Sequence, residues 1–310
     1  MMVNILRYGR KYALKKVIIE VLIDYLHNKN KSHVFDSPDQ FAVFSNDFVG
    51  MYVTFFKGYE REELDAFVKW YGADKLFNGV TVDVGANVGT HSIYFSSLSK
   101  KVLSFEPHTK TYRLLDINTD SYNNIFCFNF ALSDSAGTEI LHAHPANLAG
   151  AHLSKYTKNM AGLGEGSIDE MHYEQEVNVS TLDLIVDSTD YPIKLLKIDA
   201  EGHELNVLKG GEGIIKKHKP VILFEQALNG FDENERSPVI DFLKRLGYEK
   251  FCYVSSSIKA RDHYDNPPGV IRTLIDVFRA SIFGVQLSVK CVEDIRPGYY
   301  PFLIALPVAN

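Results

Sequence analysis

Apolar and polar positions along this chain follow two different periods, and the change from one to the other divides it. Residues 6–27 place Leu14, Val17, Ile18, Val21, Leu22, Tyr25 and Leu26 at helical spacing, with Arg7, Arg10, Lys11, Lys15 and Lys16 early in the segment. This predicts an amphipathic N-terminal helix packed on the main domain or on a second copy of the chain, with contact to a membrane surface as the alternative. Residues 41–56 are aromatic-rich and read as strands around Asn46 and Asp47, and residues 62–71 return to a helical period.

From Val80 onward, short apolar runs alternate with helical segments, which predicts a parallel sheet built from strand–helix–strand units. Runs 80–84, 102–105, 125–131, 195–198 and 221–224 are mostly apolar on both faces, as strands covered by helices on both sides must be. Helices are expected at 89–98, 110–122, 203–217 and 238–246, the last stopped by Gly247, and runs 251–255 and 302–305 complete the sheet. Two stretches interrupt this rhythm. Residues 134–176 carry Gly137, Gly150, Gly162, Gly164, Gly166 and the histidines His142, His144, His152 and His172, and read as a long surface loop over the acceptor. Residues 256–297 contain a helical pattern at 271–283. With no internal repeat and no low-complexity linker, the expected organisation is an extension, 1–57, and one α/β domain, 58–310, with insertions at about 134–176 and 256–297.

Composition narrows the function classes. The 310 residues are 45% hydrophobic, and 33 basic against 39 acidic residues give a net charge of −6, which offers no general footprint for nucleic acid. No apolar run has the length of a membrane span. Cys127, Cys252 and Cys291 are widely spaced and odd in number, so neither a disulfide framework nor a zinc site is expected, and a reducing, cytoplasmic setting fits. The four histidines of the first insertion match no strong ligand spacing.

The chemistry gathers at the ends of the runs. The first ends in Asp83-Val84-Gly85-Ala86-Asn87-Val88-Gly89, where the glycines allow a tight turn and close backbone approach to a ligand at a helix N-terminus. Asn87 and Thr90 stand where a dinucleotide fingerprint wants glycines, which weakens a nicotinamide oxidoreductase, and Asp83 suits an amino group better than a phosphate. The second run ends in Glu106-Pro107, a carboxylate suited to two ribose hydroxyls. The third ends near Leu132-Ser133-Asp134, the fourth in Asp199-Ala200-Glu201 and the fifth in Glu225-Gln226. Ligands of open α/β sheets bind outside the carboxyl ends of the strands, so these groups are expected to line one crevice.

Together with Ala131-Leu132-Ser133, Thr181-Leu182-Asp183 and Lys197-Ile198-Asp199-Ala200-Glu201-Gly202-His203-Glu204, these segments resemble the FkbM family of methyltransferases over about residues 58–226. The resemblance implies a class I methyltransferase (Rossmann-like) fold, a seven-stranded, mostly parallel sheet with an antiparallel last strand and helices on both faces. It also implies S-adenosylmethionine as donor and an oxygen acceptor, commonly on a sugar or a natural product. By the family pattern Asp83, Gly85, Ala86, Asn87 and Gly89 surround the methionine part, Glu106 and Pro107 the ribose, and Leu132 and Ser133 the adenine edge, while Tyr59-Glu60 resembles a family feature ahead of the first strand.

An aliphatic hydroxyl is a weak nucleophile and needs a base or a metal ion. Asp199 is the first candidate, with Glu201, His203, Glu204 and Glu225 in reserve, and Lys197 two residues earlier shares its face. The metal alternative places magnesium or manganese on Asp199, Glu225 and Gln226. A catalytically silent cofactor-binding protein, or a methyltransferase of a lipid or natural-product hydroxyl, are the competing readings.

Overall fold

Strand formation in the centre of the chain follows from residues that are apolar in both directions. In the computed structural model, β1 (Val80–Val84) is buried at every position, and its neighbours β2 (Lys101–Phe105), β8 (Ile193–Ile198) and β9 (Val221–Gln226) are nearly so. The structure describes residues 41–45, 47–55, 58–144, 147–153, 173–186, 191–256 and 285–308, together with Lys16 and Val21, both exposed helical positions within 6–27. The rest of the expected N-terminal helix, and the helical pattern at 271–283, lie outside the described residues.

Between these strands the chain forms β3 (Ile125–Phe128), β4 (Ala131–Leu132), β5 (Gly137–His144), β6 (Asn147–Leu153) and β7 (Tyr173–Ser180), and it ends in β10 (Tyr248–Ser256), β11 (Leu287–Val292) and β12 (Tyr300–Pro307). The main sheet has the order β11-β10-β12-β9-β8-β1-β2-β3. Pairs from β9 through β8, β1 and β2 to β3 are parallel, whereas β12 runs antiparallel to both β9 and β10. Eight strands therefore replace the expected seven: part of the second insertion returns as β11, antiparallel to β10, and extends the edge.

Side-chain alternation feeds two cores. Leu196, Ile198, Ile222 and Phe224 face a layer formed by the helices Glu204–Gly210 (α6), Glu212–His218 (α7) and Pro238–Arg245 (α8). Leu195, Val221 and Leu223 face the opposite layer, with Leu64 and Phe67 of the helix Arg61–Tyr71 (α2) and Ile93 and Phe95 of the helix Thr90–Ser96 (α3). The helices Thr109–Thr119 (α4) and Leu182–Val186 (α5) complete the connections. Ser237 caps α8 by accepting from the Ile240 N–H, and Gly247 follows it with φ 85°, a stop that suits glycine.

Four expectations change. Residues 41–56 contain the helix Phe48–Phe55 (α1) rather than strands, with Asp47 accepting from the Gly50 N–H at its start. The single expected strand 125–131 breaks at Asn129, whose amide donates to the carbonyls of Glu106 and Pro107, so that β4 leaves the main sheet. The described part of the first insertion forms strands: β4-β7-β5-β6 make a second, four-stranded sheet, and residues 154–172 lie outside the described residues. Finally, Cys252 and Cys291, directly opposed in the β10–β11 register, form a disulfide, while Cys127 remains a thiol. That bridge departs from the expectation, drawn from wide spacing and an odd count, that these cysteines form no disulfide. Among the described residues no helix is long and apolar enough to cross a membrane.

Gly210 at the end of α6 lets that helix approach the chain just after β4: a Cβ there would stand 1.9 Å from the Ser133 carbonyl oxygen. Gly210→Ala should therefore lower the unfolding free energy by about 1–3 kcal/mol, read from the midpoint of urea denaturation. An unchanged midpoint would contradict this packing.

Candidate active site at the carboxyl ends of the strands

The site begins with two residues that face each other across parallel strands. Asp83 of β1 and Lys197 of β8 are direct register partners, so their side chains emerge on the same side of the sheet. Both are buried, and Lys197 Nζ stands 3.0 Å from Asp83 Oδ1. The same ammonium donates to the carbonyl oxygens of Gly85 at 2.8 Å and Val84 at 3.3 Å, and lies 3.6 Å from Asp199 Oδ2. Burial works against the charged lysine, but Asp83 and Asp199 outweigh it and hold its pKa above the usual value. Asp83 is also bound by the Ser92 hydroxyl at 2.6 Å, and Ser92 in turn accepts from Ser104. Asp83 is thus engaged beneath the turn and does not line the cavity.

Above this pair the chain turns sharply. Gly85 has φ 71°, and a Cβ there would meet the Asp199 carbonyl oxygen at 1.8 Å, so glycine lets the ends of β1 and β8 touch. The Gly85 and Ala86 N–H groups donate to the Phe105 carbonyl, tying the turn to β2. Asn87 is left-handed at φ 50°, and its N–H donates to Glu106 Oε2 at 3.0 Å. The His108 N–H donates to Glu106 Oε1 at 2.8 Å. Burial raises the Glu106 carboxyl to about 7, with these two hydrogen bonds opposing it. Gly89, at φ 93°, precedes α3.

These elements open onto one cavity. Gly85, Asn87, Glu106, Pro107, Asp199 and His203 line its polar side, and Phe130, Leu132, Leu141, Ala151 and Leu153 its apolar side. The last three belong to the inserted sheet, so the insertion walls the cavity next to Glu106 and Pro107. Ser133 is buried and pairs its hydroxyl with His203 Nε2 at 2.8 Å, joining the two sheets. Burial lowers the His203 pKa. Glu204 closes the preceding turn by accepting from the Ala200 and Gly202 N–H groups. Tyr59 lies in front of α3 with its ring stacked on His91.

The metal set expected from sequence does not assemble. Gln226 is buried on the opposite face of β9 from Glu225, because adjacent strand residues alternate. Its amide oxygen accepts from the Ser237 hydroxyl at 2.6 Å and its nitrogen donates to the Ala227 carbonyl. Glu201 takes its place: carboxylate oxygens of Asp199, Glu201 and Glu225 all lie within 4.8 Å of one another. Such an oxygen set is chemically able to hold a hard cation. Burial first, and Asp199 second, push the Glu225 carboxyl well above the usual range. Neither His142 nor His152 lines the cavity or joins this cluster. His142 and His152 stack across β5 and β6, with His142 3.5 Å from Glu174, and His172 lies outside the described residues.

Comparison with known proteins gives the arrangement a context. A family model described as a methyltransferase FkbM domain matches residues 83–250. The hexuronic acid methyltransferase AglP of Haloferax volcanii is 30% identical over 132 residues, which cover 41% of this chain and 48% of AglP. Methyltransferase sdnD of Sordaria araneosa is 32% identical over 158 residues, covering 43% of this chain and 60% of sdnD. The chain thus spans about half of the first relative and three-fifths of the second. A solved structure of a methyltransferase FkbM from Methylobacillus flagellatus is similar at 18% identity and a TM-score of 0.32, covering 48% of this chain and 33% of that one.

Lys197→Met removes the cation that pairs with a fully buried Asp83. Breaking such a pair from one side should cost about 3–5 kcal/mol, measurable by chemical denaturation. Wild-type stability in this variant would show that the pair does not hold the strand ends together.

Proposed function

Because the chain belongs to the FkbM methyltransferase family, with a class I methyltransferase sheet extended by one edge strand, we propose that it is an S-adenosylmethionine-dependent O-methyltransferase. Its acceptor, on this reading, is a hydroxyl of a sugar or glycan. The observation that carries the proposal is the convergence of the glycine turn, Glu106 and Asp199 on one cavity at the carboxyl ends of β1, β2 and β8. The sugar class draws support from AglP, whose name gives it a hexuronic acid as acceptor. Residues 58–310 would form the catalytic unit and 1–57 an extension. Part of that extension reaches the domain, since Ala42 and Asn118 exchange two hydrogen bonds.

The residues fit the cofactor. Gly85 leaves room for backbone approach, with a Cβ excluded by the Asp199 carbonyl. Glu106 retains lone pairs for two ribose hydroxyls beyond the two N–H bonds it accepts. Leu132, Leu141 and Leu153 offer an apolar slot for a flat base. When bound, the sulfonium supplies a transferable methyl cation equivalent.

In the transfer, the new O–CH3 bond forms as the S–CH3 bond breaks, and the acceptor proton has to leave. Asp199 is placed to take it, half-exposed at the cavity with Lys197 3.6 Å behind its carboxylate. That neighbour orients the Asp199 carboxylate. His203 is the weaker candidate, because its ring is engaged with Ser133. Alignment of the reacting atoms and exclusion of water by the apolar wall contribute the remainder.

Glu106→Ala should weaken S-adenosylmethionine binding by about 1–3 kcal/mol in calorimetric titration, and unchanged affinity in a folded variant would remove Glu106 from the cofactor site. Asp199→Asn should retain cofactor binding while turnover falls by about a hundredfold or more, read as S-adenosylhomocysteine formed. Chelator should leave the native activity intact. Loss restored by magnesium or manganese would instead give Asp199, Glu201 and Glu225 the role of metal ligands.

A further inference from the structure

One buried side chain joins the N-terminal extension to the turn that follows β1. Asn118, in the last turn of α4, is 7% exposed. Its Oδ1 accepts from the Ala42 N–H at 2.6 Å, and its Nδ2 donates to the Ala42 carbonyl at 3.0 Å and to the Val88 carbonyl at 2.7 Å. Both backbone polar groups of Ala42 are thus held, as in a strand pair, by a side chain 76 residues away. Val88 lies between Asn87, whose N–H holds Glu106, and Gly89, which opens α3. The helix carrying Asn118 packs on the same turn, since a Cβ at Gly89 would stand 2.8 Å from Leu115 Cδ1.

From Ala42 the chain crosses to the other wall of the cavity. A tight bend precedes α1: the Asp47 N–H donates to the Phe44 carbonyl, and a Cβ at Gly50 would stand 2.1 Å from that same oxygen. α1 contains no charged residue and packs against β6, the outer strand of the inserted sheet. An outer strand presents backbone groups that need a cover, and α1 provides one. β6 in turn gives Ala151 and Leu153 to the cavity. Tyr52 of α1 meets Tyr59 edge to face at 5.8 Å, and Tyr59 stacks on His91.

Residues 41–55 therefore bridge the two walls, the glycine turn on one side and the inserted sheet on the other. A segment of this kind opens locally at far less cost than the domain unfolds, and a ligand enclosed by the walls it joins leaves when it opens.

We propose that residues 41–55 form a strap that retains the methyl donor, and that Asn118 is the positioning residue that latches this strap to the cofactor turn. The inference rests on the S-adenosylmethionine reading above and gives the extension a part in it. Asn118 does not line the cavity; it acts through Val88 and Ala42. With the latch broken, the walls separate more readily, while Glu106 keeps the two N–H bonds that prepare it for the ribose.

The test uses the full chain and S-adenosylhomocysteine. Its dissociation is timed by stopped-flow displacement, and backbone amide exchange is followed by mass spectrometry with and without it. Saturating ligand should slow exchange across residues 41–55 of the native chain by about tenfold or more. Asn118→Ala should abolish that slowing and speed dissociation by about tenfold or more, while the association rate stays near native. Ala42→Pro removes the N–H donated to Asn118 Oδ1 but leaves the bond to Val88 in place, and it should speed dissociation as well. It also serves should Asn118→Ala fail to fold. Strap exchange indifferent to ligand in the native chain overturns the proposal. So does native dissociation from Ala42→Pro, which would confine Asn118 to supporting the turn, or from folded Asn118→Ala, where a lower melting temperature alone would make its role structural. Failure of the parent reading looks different: the unaltered chain would bind no S-adenosylhomocysteine at all.

Discussion

The buried pair of Lys197 and Asp83 ties the end of β8 to the end of β1. Taking two charges out of water is costly, and their attraction offsets that only when the remaining donors and acceptors are also satisfied. Here the ammonium reaches two carbonyl oxygens at the start of the turn, and the carboxylate receives the Ser92 hydroxyl. The arrangement therefore fixes three things at once: the register of β1 against β8, the carbonyl directions of Val84 and Gly85, and the orientation of Asp199. Apolar residues of similar volume would pack the same space, but they would not aim the turn.

Everything on the polar side of the cavity is built outward from that point. Gly85 permits the two strand ends to meet, the next N–H groups bind β2, and the Asn87 N–H reaches Glu106. A carboxylate held by two backbone donors before any ligand arrives loses little freedom on binding, which is the condition for a preorganised site. The inserted sheet supplies what the main sheet lacks, an apolar wall, and His203 with Ser133 joins the two. The acidic end lies beyond, where Glu225 and Glu201 meet Asp199.

Much of this was legible in the sequence, and the exceptions have physical causes. Strands apolar on both faces have no competing interpretation, so β1, β2, β8 and β9 stand close to where the pattern put them. Residues 48–55 are rich in aromatic and β-branched types, and local preference pointed to strand, whereas Asp47 and packing against the domain favour helix. The second sheet was hidden because its apolar positions, such as Leu141 and Leu153, are separated by glycine and histidine. Gln226 follows Glu225 in sequence, but a period of two places it on the other face. The Cys252–Cys291 bridge depends on strand register across 39 residues, which no spacing reveals. Glu60 was visible only beside Tyr59, and Asn118 and His91 carried no local signal at all.

A crystal structure of the chain grown with saturating S-adenosylhomocysteine tests the central claim most directly. The account places the ribose hydroxyls within hydrogen-bond distance of both Glu106 oxygens and the adenine between Leu132 and the Leu141–Leu153 wall. Asp83 and Lys197 should remain paired beneath them. Nucleoside density elsewhere on the molecule, or an empty cavity under saturating ligand, would contradict it.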